Sequence, residues 1–258
     1  MRSLRGNTNQ SARNRGTVRL VTAWFSELGV TLLAGLLMLA AVPSFAGDPV
    51  GSPRLPKRAT SVAGFIPPGW VIEQQLSGNF NRDGRADALV LLRMAPTAEK
   101  QSPTDSSAAR LSTPRVIAVL LGIRNGYELS ASNGRLVPQV DLNSQEDLMT
   151  DSELSVRPGG FDLKIGMTAG GSSYLGAALH YRFRHQNGCF RLIGYDRRET
   201  HRATLETHDL SVNFLTGAVV LTTGNAQSDT TQSRRERLAA NPRRCFQDLN
   251  SLVDFKPF

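Results

Sequence analysis

Beyond residue 69 the chain either alternates apolar and polar residues or runs apolar for several positions, and no stretch there repeats with a long 3.6-residue period. A two-residue period sends successive side chains to opposite faces of a strand, so the pattern predicts strands. Trp70 to Leu76 alternates, Ala88 to Leu92 is continuously apolar, and "VIAVLLG", Val116 to Gly122, is apolar enough for a strand buried at the centre of a sheet. That run meets Asn125-Gly126, a pair that tolerates positive φ and suits a two-residue hairpin turn. "YELSAS" follows and meets a second such pair, Asn133-Gly134, and "FDLKIGMT", Phe161 to Thr168, alternates cleanly.

The segment Tyr174 to Asp196 predicts its own register. With Asn187-Gly188 as a two-residue loop, Gln186 faces Cys189, His185 faces Phe190, Phe183 faces Leu192 and Tyr181 faces Gly194, all on one side. Arg182, Arg184 and Arg191 fall on the other side with His180, Ile193 and Tyr195, and Arg184 opposite Arg191 is a repulsive pair. A further hairpin, Leu210 to Thr223, turns at Thr216-Gly217 and places Val212 and Phe214 with Val219 and Leu221. The expected class is all-β: an antiparallel meander of hairpins forming a sandwich or propeller-blade-like sheets, with exposed polar loops.

The polar stretches divide the chain. Residues 1–46 read as an export signal: five arginines, the apolar run Leu28 to Val42, then Ser44 and Ala46 spaced for a signal peptidase, with cleavage expected after Ala46. An uncleaved membrane anchor is the competing reading, but the run falls short of the ~20 residues a bilayer span needs. Residues 47–64 read as a flexible linker and 65–258 as one all-β domain. Ala95 to Pro114 reads as a long exposed loop, and Asn225 to Asn241 as a polar insert with a short helix over Ser233 to Ala240. Of 30 Lys and Arg the leader takes five, and of 22 Asp and Glu it takes one; 25 against 21 leaves a net charge of +4 in place of +8. That modest, spread excess argues against nucleic acid as a partner. An exported address places Cys189 and Cys245 where disulfides persist, and pairing them would contribute roughly 4 kcal/mol by the chain-entropy estimate; two separate thiols are the other reading.

"GNFNRDGRADALVLL", Gly78 to Leu92, carries the candidate chemistry. Counted from Asn79, positions 1, 3, 5 and 9 are Asn79, Asn81, Asp83 and Asp87, with Gly84 at position 6 and Arg85 at position 7. Calcium loops use such spacing because side-chain oxygens at alternate positions converge as the backbone curls, the Gly permits the sharp turn, and position 7 offers its carbonyl. The stretch resembles the FG-GAP/VCBS-type repeat, whose hallmark is a D-x-N/D-x-D-G-x-x-D loop leading into an apolar strand; one copy is present. From this loop through "SVNFLTGAVVLTTG" the order of segments is similar to a group of uncharacterised exported bacterial proteins. The resemblance implies calcium as the cofactor, held by Asn79, Asn81, Asp83, Arg85 and Asp87. Asn79 stands where the repeat has Asp, so binding is expected to be weak, with Kd on the order of 10⁻⁴ to 10⁻³ M. A polar turn whose side chains cap backbone amides is the alternative.

Other constellations carry less. The histidines are His180, His185, His201 and His208; the hairpin register sends His180 and His185 to opposite sides, while His201 and His208 flank a strand connection. "GGSSYLG" holds Ser172 and Ser173 but lacks the spacing of a nucleophile elbow. "DLNSQEDLMTDSEL", Asp141 to Leu154, is acidic and expected to be a solvated loop or to dock against arginines. The side carrying Arg182, Arg184 and Arg191 offers planar forks that suit phosphate and carboxylate, which makes an anionic envelope component a candidate partner; a solvated sheet face is the more ordinary reading. These features together point to an exported, non-catalytic binding or structural protein of the bacterial cell envelope. A secreted hydrolase with an unrecognised cleft and a membrane-anchored protein are the alternatives.

Overall fold

The structure, a computed structural model, describes residues 53–96, 110–167, 175–241 and 243–258. Among the described residues there is no α-helix, and twelve strands form two antiparallel sheets. The first sheet contains β1 (Arg58–Ala59), β2 (Trp70–Gly78), β3 (Asp87–Met94), β4 (Arg115–Ile123) and β5 (Gly126–Asn133), in the order β1-β5-β4-β3-β2. The second contains β6 (Ser152–Arg157), β7 (Gly160–Met167), β8 (Leu175–Gln186), β9 (Cys189–His201), β10 (Glu206–Asn213), β11 (Ala218–Asn225) and β12 (Ser228–Arg237), side by side in chain order. Side chains from both sheets share one large core, so the all-β meander takes the form of a sandwich.

The unbroken apolar runs of β3 and β4 have a physical cause: both strands are buried on both faces. Leu89, Leu91, Ile117 and Val119 join the core between the sheets, while Ala88, Val90, Leu92, Val116, Ala118 and Leu120 form a second core on the opposite face. Val62 and Phe65, from a 3₁₀ turn (Val62–Phe65), and Trp70 pack over that second face. Residues 53–64, read from the sequence as the end of a flexible linker, therefore belong to the fold. They lay β1 along β5, pairing Arg58 with Glu128, and cover aliphatic side chains whose burial is worth about 1.5–3 kcal/mol each.

On the second sheet the expected pairings Gln186–Cys189, His185–Phe190 and Phe183–Leu192 are present. A bulge then intervenes: Arg182 pairs with Gly194 and Tyr181 with Tyr195, which leaves Ile193 as the extra residue. Tyr195, expected on the arginine side, accordingly turns into the core and is 1% exposed. Gly194 accommodates this, because a Cβ there would lie 2.4 Å from Nε of Arg182, whose guanidinium crosses it. The inner face is aromatic: Phe161 stacks on Phe183 with centroids 4.9 Å apart and meets Phe246 edge-on at 5.4 Å.

Two turns differ from expectation. Ile123 pairs with Gly126, so the β4–β5 loop is Arg124-Asn125, one residue earlier than the Asn-Gly pair, and Gly126 opens β5 at φ 122°. Asn133 forms no hairpin turn; it ends β5, opposite Ile117. Its buried amide donates to the carbonyls of Phe246 (2.7 Å) and Leu249 (2.8 Å) and accepts from the amides of Arg135 and Leu136 (both 2.9 Å). The stretch 225–241, expected to be an insert with a helix, supplies β12 instead. Asn225 Oδ1 accepts from Gln227 N at 3.0 Å to turn the chain, and β12 pairs with β11, Val220 opposite Arg235. All of β12 is exposed; with no face to bury, it carries no apolar period.

The acidic stretch docks on β4 rather than on the long hairpin. Asp147 and Glu73 hold the buried Arg115 at 2.9 and 2.7 Å. Burial works against that charge, but the hydrogen bonds to Glu73 and Asp147 outweigh it and raise the guanidinium above its usual range. Near the C-terminus, Phe246, Leu249 and Leu252 re-enter the core, and Cys245 is joined to Cys189 by a disulfide with Cα atoms 5.8 Å apart. The leader, residues 97–109 of the long loop, and the stretch 168–174 with Ser172 and Ser173 lie outside the described residues.

Candidate functional site

Residues 79–86 connect β2 to β3. The curl uses left-handed backbone at Arg82 (φ 63°) and Gly84 (φ 84°). Two Asx turns follow one another: Asp83 N donates to Asn81 Oδ1 at 3.1 Å, and Arg85 N donates to Asp83 Oδ1 at 2.8 Å. The Arg85 guanidinium folds back, with Nη1 2.8 Å from Asp83 Oδ2. The backbone amide of Arg85 is the chief reason the Asp83 carboxyl sits below the usual carboxylate range.

Asp87 behaves differently. It is 1% exposed, and both oxygens accept backbone amides: Oδ2 from Phe80 N at 2.6 Å and Oδ1 from Gly122 N at 2.8 Å. One carboxylate thus ties the start of the loop to the end of β4. Phe80 drops between the sheets, edge-on to Phe190 (6.0 Å) and Phe161 (6.5 Å) of the second sheet. Gly122 makes room for the loop, since a Cβ there would lie 2.3 Å from the Ala86 carbonyl oxygen. Phe80 was not singled out from the sequence; its signal is an aromatic residue inside an otherwise polar loop.

Of the five residues expected to face calcium, Asn79, Asn81, Asp83 and Arg85 belong to the loop, and Asp87 turns inward with both oxygens engaged. Asn79 Oδ1 is buried without a partner. The donors therefore fit a calcium ion in part: an orphaned oxygen and an ionised carboxylate are present, with a guanidinium already on the carboxylate. Among the described residues no three His, Cys, Asp or Glu side chains gather into a metal site.

The remaining candidates spread over the second sheet. His185 packs its ring on Phe190 at 5.1 Å, while His180 stands on the open face between Asp162 (3.5 Å) and Asp196 (3.6 Å). His201 Nδ1 accepts from Thr204 N at 3.1 Å in the β9–β10 connection, and His208 lies opposite Glu199. Arg182 is paired to Asp196 at 2.7 Å, and Arg191 Nη2 donates to the Phe214 carbonyl at 3.2 Å. Arg184 sits across from Arg191, with the Gln186 amide 2.9 Å from its Nε.

The open face also forms a trough of about 610 Å³, rimmed by Glu153, Lys164, His180, Asp196, Arg198 and Asp209. Its charges answer one another: Lys164 meets Glu153 at 2.8 Å and Arg198 meets Asp209 at 2.9 Å. The hydrogen bond between Lys164 and Glu153 holds the Glu153 carboxyl below its usual pKa and the Lys164 ammonium above its own. Asp162 and Asp196 were missed in the sequence. The alternation opposite Phe161 and Leu163 marks Asp162 as outward, but the bulge hides the parity of Asp196. Compared with family models, with curated proteins and with solved structures, the chain matches none.

Proposed function

We propose that the chain is an exported, non-catalytic binding or structural protein of the bacterial cell envelope, whose FG-GAP-like loop acts as a joint. The observation that carries the reading is Asp87. The most buried acid of the loop accepts a backbone amide on each of its two oxygens, which is architectural work. The Cys189–Cys245 disulfide suits an oxidising compartment, in keeping with the leader. The loop takes up calcium weakly through Asn79, Asn81, Asp83 and the Arg85 carbonyl, and the ion fixes the curl between β2 and β3.

The test is thermal melting of the purified chain in millimolar calcium and in chelator. A ligand that binds only the folded state raises Tm, so calcium is expected to raise it in the wild type and leave Asp83→Ala unmoved. No shift at millimolar calcium would return the loop to a plain polar turn. N-terminal sequencing of the exported protein tests the address, with Gly47 expected as the first residue.

A further inference from the structure

A second, smaller cavity of about 220 Å³ lies where the 79–86 loop, the β6–β7 turn and the end of β8 meet. Asn81, Arg82, Gly159, Arg184, His185 and Gln186 line it with Phe80, and no carboxylate is among them. The backbone is shaped to bring the cations there. Arg82 is a non-glycine residue in the left-handed region, at φ 63°, a conformation that persists only where the surroundings enforce it. Its guanidinium lies against Gly159, where a Cβ would come within 2.8 Å of Nε, and Gly159 itself adopts φ 80°. The turn is held from both sides, Gly159 N donating to the Asn79 carbonyl at 3.3 Å and His185 N donating to the Gly159 carbonyl at 2.9 Å.

Positive charge here is uncompensated. The neighbouring arginines are neutralised, Arg157 by Asp162 at 2.7 Å and Arg182 by Asp196 at 2.7 Å. Arg184 instead has the uncharged Gln186 amide 2.9 Å from its Nε and faces Arg191 across the ladder, and Arg191 Nε is buried with no partner. Like charges directly opposite one another are destabilising, and an oxyanion that accepts from a guanidinium fork removes that repulsion. Pockets for organic ligands run about 300–1,000 Å³, so this one has room for a single ionic group.

We propose that this cavity binds a small soluble oxyanion of the phosphate or sulfate class through Arg82 and Arg184. The Asn81 side chain lines the cavity beside them, and the Gln186 amide holds the Arg184 guanidinium. The site does not depend on calcium in the adjoining loop.

The experiment is calorimetric titration of the purified full chain with sodium phosphate and then sodium sulfate at low ionic strength, each repeated in chelator. One-to-one binding is expected, unchanged by chelator, at least tenfold weaker in Arg82→Gln and in Arg184→Gln, and unaltered in Arg198→Gln on the open face. Melting without anion checks that each variant folds; Arg82 is exposed on a loop, so that variant carries the test if Arg184→Gln is unstable. Absence of heat with both anions overturns the proposal, as does wild-type affinity in both arginine variants. Phosphate binding that requires calcium would assign the anion to the metal and also overturns it. So does retention on phosphatidylglycerol vesicles by a chain that ignores inorganic phosphate, because a lipid surface would then be the partner.

Discussion

Asp87 accepts the amides of Phe80 and Gly122 while almost wholly removed from water. A buried donor deprived of its acceptor costs about 1–3 kcal/mol, and Asp87→Ala orphans two. The expected loss is on the order of 3 kcal/mol, read as a lower urea midpoint at unchanged m-value. A loss below about 1 kcal/mol would mean that water replaces the carboxylate and that the loop is no joint. Asp83 supports a different prediction. Its folded pKa lies below the ordinary 3.8, chiefly through the Arg85 amide. Its contribution is therefore complete above the unfolded value and is lost as pH falls through the lower folded one. An NMR titration of Asp83 should give a midpoint under 3.8; a midpoint at or above that value would remove the amide hydrogen bond from the account. The spacing of the loop was legible in the sequence, but not the division of labour between its two acids. Parity held the clue: Asp87 shares a face with Leu89 and Leu91, which enter the core between the sheets, whereas Asp83 belongs to no strand.

At the scale of elements, alternation and apolar runs located β2, β3, β4, β7, β8 and β9, because each buries at least one face and so leaves a periodic trace. β12 left no such trace, being exposed along its whole length, and its pairing follows from the open edge of β11. The β9 bulge was also hidden: one extra residue reverses the parity of everything beyond it, which is how Tyr195 came to be expected on the wrong face. The Asn133-Gly134 pair misled because the turn chemistry of Asn is also the hydrogen-bonding capacity it uses to hold Phe246 and Leu249. Gly122 shows how the loop and β4 depend on each other. A methyl group there meets the backbone oxygen of Ala86 at 2.3 Å, and backbone yields less readily than a side-chain tip. Gly122→Ala should destabilise by about 1–3 kcal/mol and displace residues 79–86, seen as faster amide exchange at Phe80. Unchanged exchange there would show that the loop rests on Asp87 alone.

For the molecule as a whole, the sandwich is closed by contacts far apart in sequence, and these were the least legible part. The second core depends on residues 53–66, whose proline and charge content gave no sign that Val62 and Phe65 would be buried. The C-terminal segment depends on several long-range ties. Leu192 N donates to the Arg244 carbonyl and Leu252 N to the Leu136 carbonyl, both at 2.9 Å, while the Tyr181 hydroxyl donates to the Leu252 carbonyl. The disulfide adds to these by acting on the unfolded chain: it closes a loop of sequence separation 56, and the chain-entropy estimate for that length is roughly 4 kcal/mol. The hydrogen bonds and the buried Phe246 stay in place when the bond is removed, so a Cys189→Ser/Cys245→Ser variant should still fold with native spectra. It should unfold at a urea midpoint lower by an amount equivalent to roughly 4 kcal/mol, and exchange should quicken across residues 244–255 before it does in β8 or β9. Equal midpoints for the oxidised and double-serine proteins would mean that the denatured chain is already compact at this end, leaving the crosslink no entropy to remove.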